Sequence, residues 1–569
     1  MFAREALVIN VLLAVGLILL FYEAPGRRRW AAPRNPAIRL GAILLVNCLS
    51  CCYIAWRFQH TLPEFEATPA ACWAWLFFAC EAATIAYELW SLCVLIRVTN
   101  HSPEADRYEQ ELRRRPDLPT VDVFIPTYSE GPEIVEDTIR GALRLDWPAA
   151  RLKVWVLDDG RRPWLQELCA QRGVGYFARP SNEHGKAGNL NYALPRTDGE
   201  FILIIDADFV LRPNFLYRTL GFLLYRTGVG LVQTPQHFRN PDPVQHNLFG
   251  ARAWPEEQNF FMTVVESARD AYSNAFCVGS GWLVPRARLR ELGGFPQESI
   301  CEDLEVSYAL LARGYRTLFL NERLCQGMAP ESVPEYIKQR VRWCTGTIQH
   351  LFLRTGPLRA RGLSWLDRVF YLEPIVYWLT YPFIVLLLLA PLVFWYTGVP
   401  AFHATGDEIL LLVVPRFVAN YILVYWLSEG KVLPPVTTVH KMLPAFHLAA
   451  AVAKALVRPF GQPFKVTLKG QARDRITVQW PLFALFAAVA AAFVIGMLLN
   501  YLGLHNPVDL GDMTALNVAW SFYSLLVVLL CALACVEFPK GRDYVNATGE
   551  VLHANVVGAI RALLTRFLG

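Results

Sequence analysis

Five short motifs follow one another along the chain: Asp158-Asp159-Gly160, Lys186-Ala187-Gly188-Asn189, Asp206-Ala207-Asp208, Cys301-Glu302-Asp303 and Gln339-Arg340-Val341-Arg342-Trp343. Asp206 and Asp208 occupy alternate positions after the apolar run Phe201–Ile205. Hard divalent cations take oxygen ligands, and magnesium commonly bridges one or two carboxylates to substrate phosphates. Such an ion neutralises the charge that grows on a departing diphosphate. Asp158 and Asp159 close a second apolar run, Leu152–Leu157. A carboxylate there is costly unless it meets a cation or hydrogen-bond donors. Lys186 follows a glycine and is a point charge for a phosphate. An acceptor hydroxyl is a weak nucleophile that needs a base, and Asp303, with Glu302 beside it, is the candidate. Arg342 can fork onto a diphosphate. Trp343 offers a flat face to a sugar ring. Together these groups suit sugar transfer from a nucleotide donor. Singly, each has a plainer reading: a surface loop for Asp-x-Asp, a loop opening the helix 187–194, a solvated acidic pair at a helix start, an interfacial helix over 334–352 anchored by its Trp.

The elements that must hold these groups are short apolar runs alternating with helical spacing. Val121–Tyr128, Leu152–Leu157 and Phe201–Ile205 read as strands, and 132–145, 163–172 and 211–224 as helices. That alternation predicts a parallel sheet with helices on its faces. Ligands bind such sheets at the carboxyl ends of the strands, where Asp158, Asp159, Asp206 and Asp208 stand.

Of the 569 residues, 54% are apolar, and the apolar residues concentrate on either side of this domain. Seven segments are long enough to cross a bilayer, near 5–22, 38–57, 71–97, 372–396, 407–428, 479–502 and 514–537. The first lacks a small-residue cleavage site and is read as an anchor. Arg27, Arg28 and Arg29 place the first loop in the cytoplasm. The domain after span three is then cytoplasmic, as are the loop 429–478 and the C-terminal tail. The expected organisation is three spans in 1–98, a soluble domain in 99–333, interfacial helices in 334–369, four spans in 370–537 and a cytoplasmic tail in 538–569. Basic residues cluster at membrane boundaries, which argues against a nucleic-acid partner. The 13 cysteines show no zinc-type spacing and no disulfide framework. Glu81, Glu88 and Arg416 lie inside spans, as helix-orienting ion pairs or as the lining of a path through the bilayer.

The motifs resemble those of processive family-2 glycosyltransferases, in particular bacterial cellulose synthase catalytic subunits. Phe464-Lys465-Val466-Thr467-Leu468-Lys469 is similar to that family's gating loop. The resemblance implies an α-helical membrane bundle of about seven spans with an inserted cytoplasmic, Rossmann-like (GT-A-like) α/β domain. It implies a donor site at Thr127, Tyr128, Asp158, Asp159, Lys186, Asp206 and Arg342, and a metal on Asp206 and Asp208. Asp303 is then the base. Cys277, Gly279, Ser280, Glu302, Gln339 and Trp343 lie along the acceptor, and Phe464, Val466, Thr467 and Lys469 close over the nucleotide. The implied ligands are UDP-glucose, Mg2+ with Mn2+ as the alternative, a growing glucan and membrane lipid, with an accessory export subunit as a candidate partner. The implied product is a cellulose-like β-1,4-glucan passed across the inner membrane. A β-1,3- or mixed-linkage glucan, a lipid-carrier product, and a transporter with a nucleotide-sugar sensor are the alternatives. Three departures stand out. Three spans precede the domain where the family usually has four. Cys301 replaces a Thr and Phe209 a His, which is expected to alter the acceptor and donor walls. The tail, with an amphipathic stretch at 546–568, does not suit a cyclic di-GMP-binding β-barrel.

Overall fold

The structure is a computed structural model that describes residues 35–251, 253–461, 469–470, 473–504 and 512–539. The candidate span at 5–22, Arg27, Arg28 and Arg29, the loop residues Phe464, Val466 and Thr467, and the tail 546–568 lie outside the described residues. Six described helices are long and apolar enough to cross a membrane: Pro36–Thr61, Pro69–Val94, Trp365–Thr397, Gly406–Leu427, Trp480–Tyr501 and Met513–Ala534. Each falls on one of the predicted spans. Their starts carry local signals. Asn35 and Thr68 accept from the amides of Ala37 and Ala71, and Pro36 and Pro69 follow them at the first helical position. Thr380 interrupts the third, ahead of Pro382.

Between the second and third of these helices lies the sheet domain. Its strands are β1 (Val121–Thr127), β2 (Leu152–Asp158), β3 (Gly175–Phe177), β4 (Phe201–Ile204), β5 (Val210–Leu211), β6 (Val229–Gln233), β7 (His237–Phe238), β8 (Trp282–Pro285), β9 (Arg316–Phe319) and β10 (Cys325–Gly327). Seven pair in the order β3-β2-β1-β4-β8-β6-β9, and β5, β10 and β7 form a smaller sheet. Alternation along the strands feeds two cores. Val121, Val123 and Ile125 of β1 face one core, with Val135, Ile139, Leu165 and Leu220 of the covering helices. Phe124, Ile202 and Ile204 face the other, with Ala187, Leu190, Val306 and Leu310. Helices cover both faces, so β1 and β4 are buried throughout.

Three sequence expectations change. The sheet is mixed: β8 runs antiparallel to β4 and β6. Its own four residues carry no directional signal; the long connection 234–281 decides its sense. The segment 211–224 opens with a strand residue, Leu211, and its helix begins at Phe215. The loop 429–478 contains helices Val436–Met442 and Ala445–Val457. The second is apolar, but 13 residues rise only about 20 Å, too short to cross. It packs on the helix Val333–Gln349, which carries the Gln-Arg-Val-Arg-Trp motif.

Charges at the junction and in the membrane are paired. Arg269 is fully buried and donates to Glu373 (2.9 Å), the Tyr308 hydroxyl (2.8 Å) and the Phe370 carbonyl (2.7 Å). Tyr87 donates to the other Glu373 oxygen at 2.8 Å, so one carboxylate joins a membrane helix, the sheet domain and the helix after it. Glu81 accepts from Tyr53 (2.5 Å) and Arg57 (3.0 Å), and Glu88 from Arg416 and Asn420. Both intramembrane carboxylates are thus spent on helix-to-helix pairing, the first of the two readings above.

Candidate active site

β1 ends at Thr127, and the chain turns around Glu130. One Glu130 oxygen accepts from the Thr127 hydroxyl (2.6 Å) and from the amides of Tyr128 (2.9 Å) and Ser129 (3.2 Å). That turn leaves Tyr128 exposed at the rim of the sheet. Asp158 ends β2 with no exposed surface. Its oxygens accept from the amides of Gly160 (2.8 Å) and Arg162 (2.7 Å), from Arg162 Nε (3.1 Å) and from Tyr176 (3.0 Å). Asp159 is held in a fork by Arg179, at 2.6 and 2.8 Å. Both Asp158 oxygens are thus engaged by donors from its own turn and from β3. A carboxylate at a strand end takes the nearest donors.

The centre of the site is Lys186. The helix Gly185–Ala193 begins there, after His184 in the left-handed region (φ 58°), and the turn throws the lysine back under the sheet edge. Its Nζ lies 2.5 Å from Asp206 Oδ1, 2.5 Å from the Gly279 carbonyl and 3.9 Å from Glu302 Oε1. Burial works against its charge, but Asp206 and Glu302 outweigh it and raise the pKa above that of an ordinary lysine. Gly279 adopts φ +100°, and a Cβ there would lie 2.9 Å from Asp303 Oδ2. Only glycine lets the loop pass this close to the carboxylate. Glu302 and Asp303 open the helix Glu302–Leu311. Burial and its neighbour Asp303 push Glu302 up to about 7. Burial also raises Asp303, against the pull of Lys186 and Arg342.

Asp206 and Asp208 follow β4. The Asp206 side chain is 34% exposed and the Asp208 side chain 7%. Asp208 pairs with Lys469, so each carboxylate of the Asp-x-Asp motif already holds an ammonium group. Burial raises the pKa of Asp208, and Lys469 opposes the rise. Two oxygen-donor carboxylates that each attract a cation fit a hard divalent ion. Among the described residues no three His, Cys, Asp or Glu side chains form a metal site by themselves, so such an ion would need oxygens from its substrate.

The residues expected along the acceptor stand on the segment before β8 and on two helices beyond it. Ser280 is fully buried; its hydroxyl accepts from the Asp206 amide at 3.0 Å, and its carbonyl accepts from Gln233 at 2.7 Å. Cys277 and Cys301 are shielded thiols whose pKa values burial pushes up, which keeps them neutral. Cys301 sits against Gly346, where a Cβ would strike its sulfur, so the glutamate–aspartate turn docks directly on the Val333–Gln349 helix. From that helix Arg342 bears electrostatically on Asp303 and Cys301. Gln339 is buried, and Trp343 is half-buried against the membrane-side core. Phe209 is 2% exposed and packs on Phe238 and Gly327, and the Lys469 ammonium that pairs with Asp208 lies 5.8 Å from the centroid of its ring.

The fold thus gathers Lys186, Asp206, Gly279, Glu302 and Asp303 into direct contact, with Arg342, Asp208 and Lys469 next to them. Thr127, Tyr128, Asp158 and Asp159 form a separate wall at the ends of β1 and β2. Sequence reasoning missed Glu130, Arg162, Arg179 and Gln233. Glu130 had a signal, a carboxylate three residues beyond a strand end. Arg162 stands four residues beyond Asp158, whereas Arg179 and Gln233 reach their partners across the fold and left none.

Residues 119–346 match the family described as glycosyltransferase like family 2. A mannosyltransferase from Pyrobaculum calidifontis, solved with GDP-Man and Mn2+, shares 20% identity over 67% of this chain and 99% of its own, with a TM-score of 0.45. The sheet domain is a family-2 glycosyltransferase domain. The cellulose synthase catalytic subunit [UDP-forming] of Pseudomonas fluorescens is 34% identical over 512 residues, 89% of this chain and 67% of that protein. Cellulose synthase 1 of Komagataeibacter xylinus is 33% identical over 531 residues, and the chain spans 33% of its length. The chain belongs to the family of bacterial cellulose synthase catalytic subunits. It is an integral inner-membrane glycosyltransferase whose catalytic domain faces the cytoplasm.

Proposed function

We propose that this protein transfers glucose from UDP-glucose to the end of a growing β-1,4-glucan, with inversion, and passes the chain into the membrane helices beside the site. The observation that carries this reading is the meeting of Asp206 (2.5 Å), the Gly279 carbonyl (2.5 Å) and Glu302 (3.9 Å) around Lys186, with Asp303 against Gly279. Asp303 accepts the proton of the acceptor hydroxyl, whose oxygen forms a bond to the anomeric carbon as the bond to the diphosphate oxygen breaks. UDP leaves. Lys186 and Arg342 place positive charge where the diphosphate becomes more negative, and they are fixed there before the reaction begins. A divalent cation on Asp206 and Asp208, Mg2+ foremost and Mn2+ as the alternative, supplies further neutralisation of that leaving group when bound. Asp208, which pairs with Lys469, would hold that cation together with Asp206. Trp343 holds the glucan end, so each transfer starts from a chain already in place.

Purified protein supplied with UDP-glucose and magnesium tests this reading. The expected outcome is UDP release with a polymer that a β-1,4-glucanase degrades. A polymer cut only by a β-1,3-glucanase would overturn the linkage; a short soluble or lipid-linked product would overturn processivity. Trp343→Ala is expected to shorten the polymer while leaving UDP affinity intact.

A further inference from the structure

Arg340 lies inside the Gln-Arg-Val-Arg-Trp motif but faces away from the carboxylates. Its guanidinium carbon is 3.4 Å from the centroid of the Tyr336 ring and 5.3 Å from that of Trp343. Its Nη1 donates to Gln339 Oε1 at 2.9 Å, and its Nη2 is ion-paired with Glu257. Tyr336, Arg340 and Trp343 sit on one face of one helix, spaced four and three residues apart, so the planar cation is laid against two rings. The Arg340 side chain is 5% exposed, whereas that of Glu257 is 26% exposed. Glu257 comes from an irregular stretch ahead of the helical turn Phe261–Val265, far from the motif in sequence.

Removing a guanidinium from water is unfavourable unless its donors are matched, and a planar one can be matched by a carboxylate and by ring faces together. Arg340 uses both. In doing so it touches the amide of Gln339 and a ring of Trp343, the two residues placed along the acceptor. Each is a side chain with freedom of its own: an amide that can flip and an indole that can turn about two bonds. Glu257 fixes the guanidinium, and the guanidinium fixes both.

We propose that Glu257 and Arg340 are a positioning pair for the acceptor, holding Gln339 and Trp343 in the orientation that receives the sugar end of the glucan. The proposal rests on the reading of Trp343 as an acceptor residue. Neither member need touch the donor, so their loss is expected to separate acceptor from donor binding.

The test uses the full-length protein in detergent, with cellohexaose as the acceptor probe and UDP as the donor-side probe. Thermal unfolding of each variant shows whether it is folded. Glu257→Gln keeps the shape and removes the charge; Arg340→Lys keeps the charge and removes the planar stack. Both are expected to weaken cellohexaose binding about tenfold, the order a desolvated cation–ring contact contributes. Polymer length should fall with it and UDP affinity should not. Glu257→Asp, which keeps the charge, is expected to recover part of the loss. Unchanged cellohexaose affinity and polymer length in folded Glu257→Gln and Arg340→Lys would overturn the positioning role. So would an equal fall in UDP affinity, which marks a general structural role. Trp343→Ala is the reference. If it weakens cellohexaose binding while the pair variants do not, only this inference fails. If it has no effect, the acceptor reading fails as well.

Discussion

Carboxylates keep different company in two parts of this molecule. In the membrane, Glu81 has Arg57 and the Tyr53 hydroxyl, and Glu88 has Arg416 and Asn420. Each acid has its own arginine, and an uncharged donor completes its hydrogen bonds. At the active site, Asp206, Asp208, Glu302 and Asp303 share Lys186, Lys469 and Arg342, so four acids draw on three cations. Burial raises these acids and the shared cations do not cancel it: Glu302 is pushed up to about 7, and Asp303 and Asp208 also lie above their ordinary range. An isolated pair in lipid is complete and holds helices together. A cluster short of positive charge is poised to take up a cation or a proton, and both are what glycosyl transfer asks of it.

The comparison can be broken most directly at Asp303. Asp303→Asn is expected to lower UDP release by roughly 10²–10⁴-fold, the usual range for a general base, with unchanged UDP binding. Activity within tenfold of the parent would remove Asp303 from the chemistry. Glu81→Ala is the matching change in the membrane. It strands Arg57 without its carboxylate and is expected to cost about 3–5 kcal/mol of stability, read as a lower unfolding temperature in detergent. The remaining folded protein should bind UDP as before. If Glu81→Ala lost UDP affinity at unchanged stability, the division between the two regions would be wrong.

A third experiment sharpens it through pH. Asp303 must be ionised to accept a proton, and burial raises its pKa. kcat/KM is therefore expected to fall on acidification at a higher pH than an ordinary aspartate would give. Arg342 holds Asp303 ionised, so Arg342→Ala should move that acid limb to still higher pH. A limb that moves down, or stays, would separate Arg342 from Asp303. The smallest expected effect concerns Lys469. In the absence of nucleotide, Lys469→Met should tighten Mn2+ binding by a few-fold, measured by the signal of free Mn2+, because Asp208 no longer has an ammonium to exchange. Weaker Mn2+ binding would mean that Lys469 supports the cation site.

Much of this was legible in the chain. Apolar runs marked β1, β2 and β4, the last two closed by acids, because a buried strand must be apolar and its open end is where polar groups reach solvent. Long uncharged segments marked the spans, because lipid leaves no alternative partner for the backbone. What stayed hidden depended on residues far apart. Arg179 meets Asp159 from the end of β3, Glu257 meets Arg340 across the domain, and Glu373 joins Arg269 to Tyr87. The helix Ala445–Val457 was hidden for another reason. Its apolar length is ambiguous between a core helix and part of a span, and packing on the Val333–Gln349 helix resolves it.

The residue order by itself determined that this chain crosses a membrane and carries a cytoplasmic sugar-transfer domain, since hydropathy length and motif spacing are local properties that survive without coordinates. The tertiary structure decided which acids are paired off one to one and which share too few cations. A carboxylate's role follows from the charges that crowd it, and in a folded chain those charges come from any distance along the sequence.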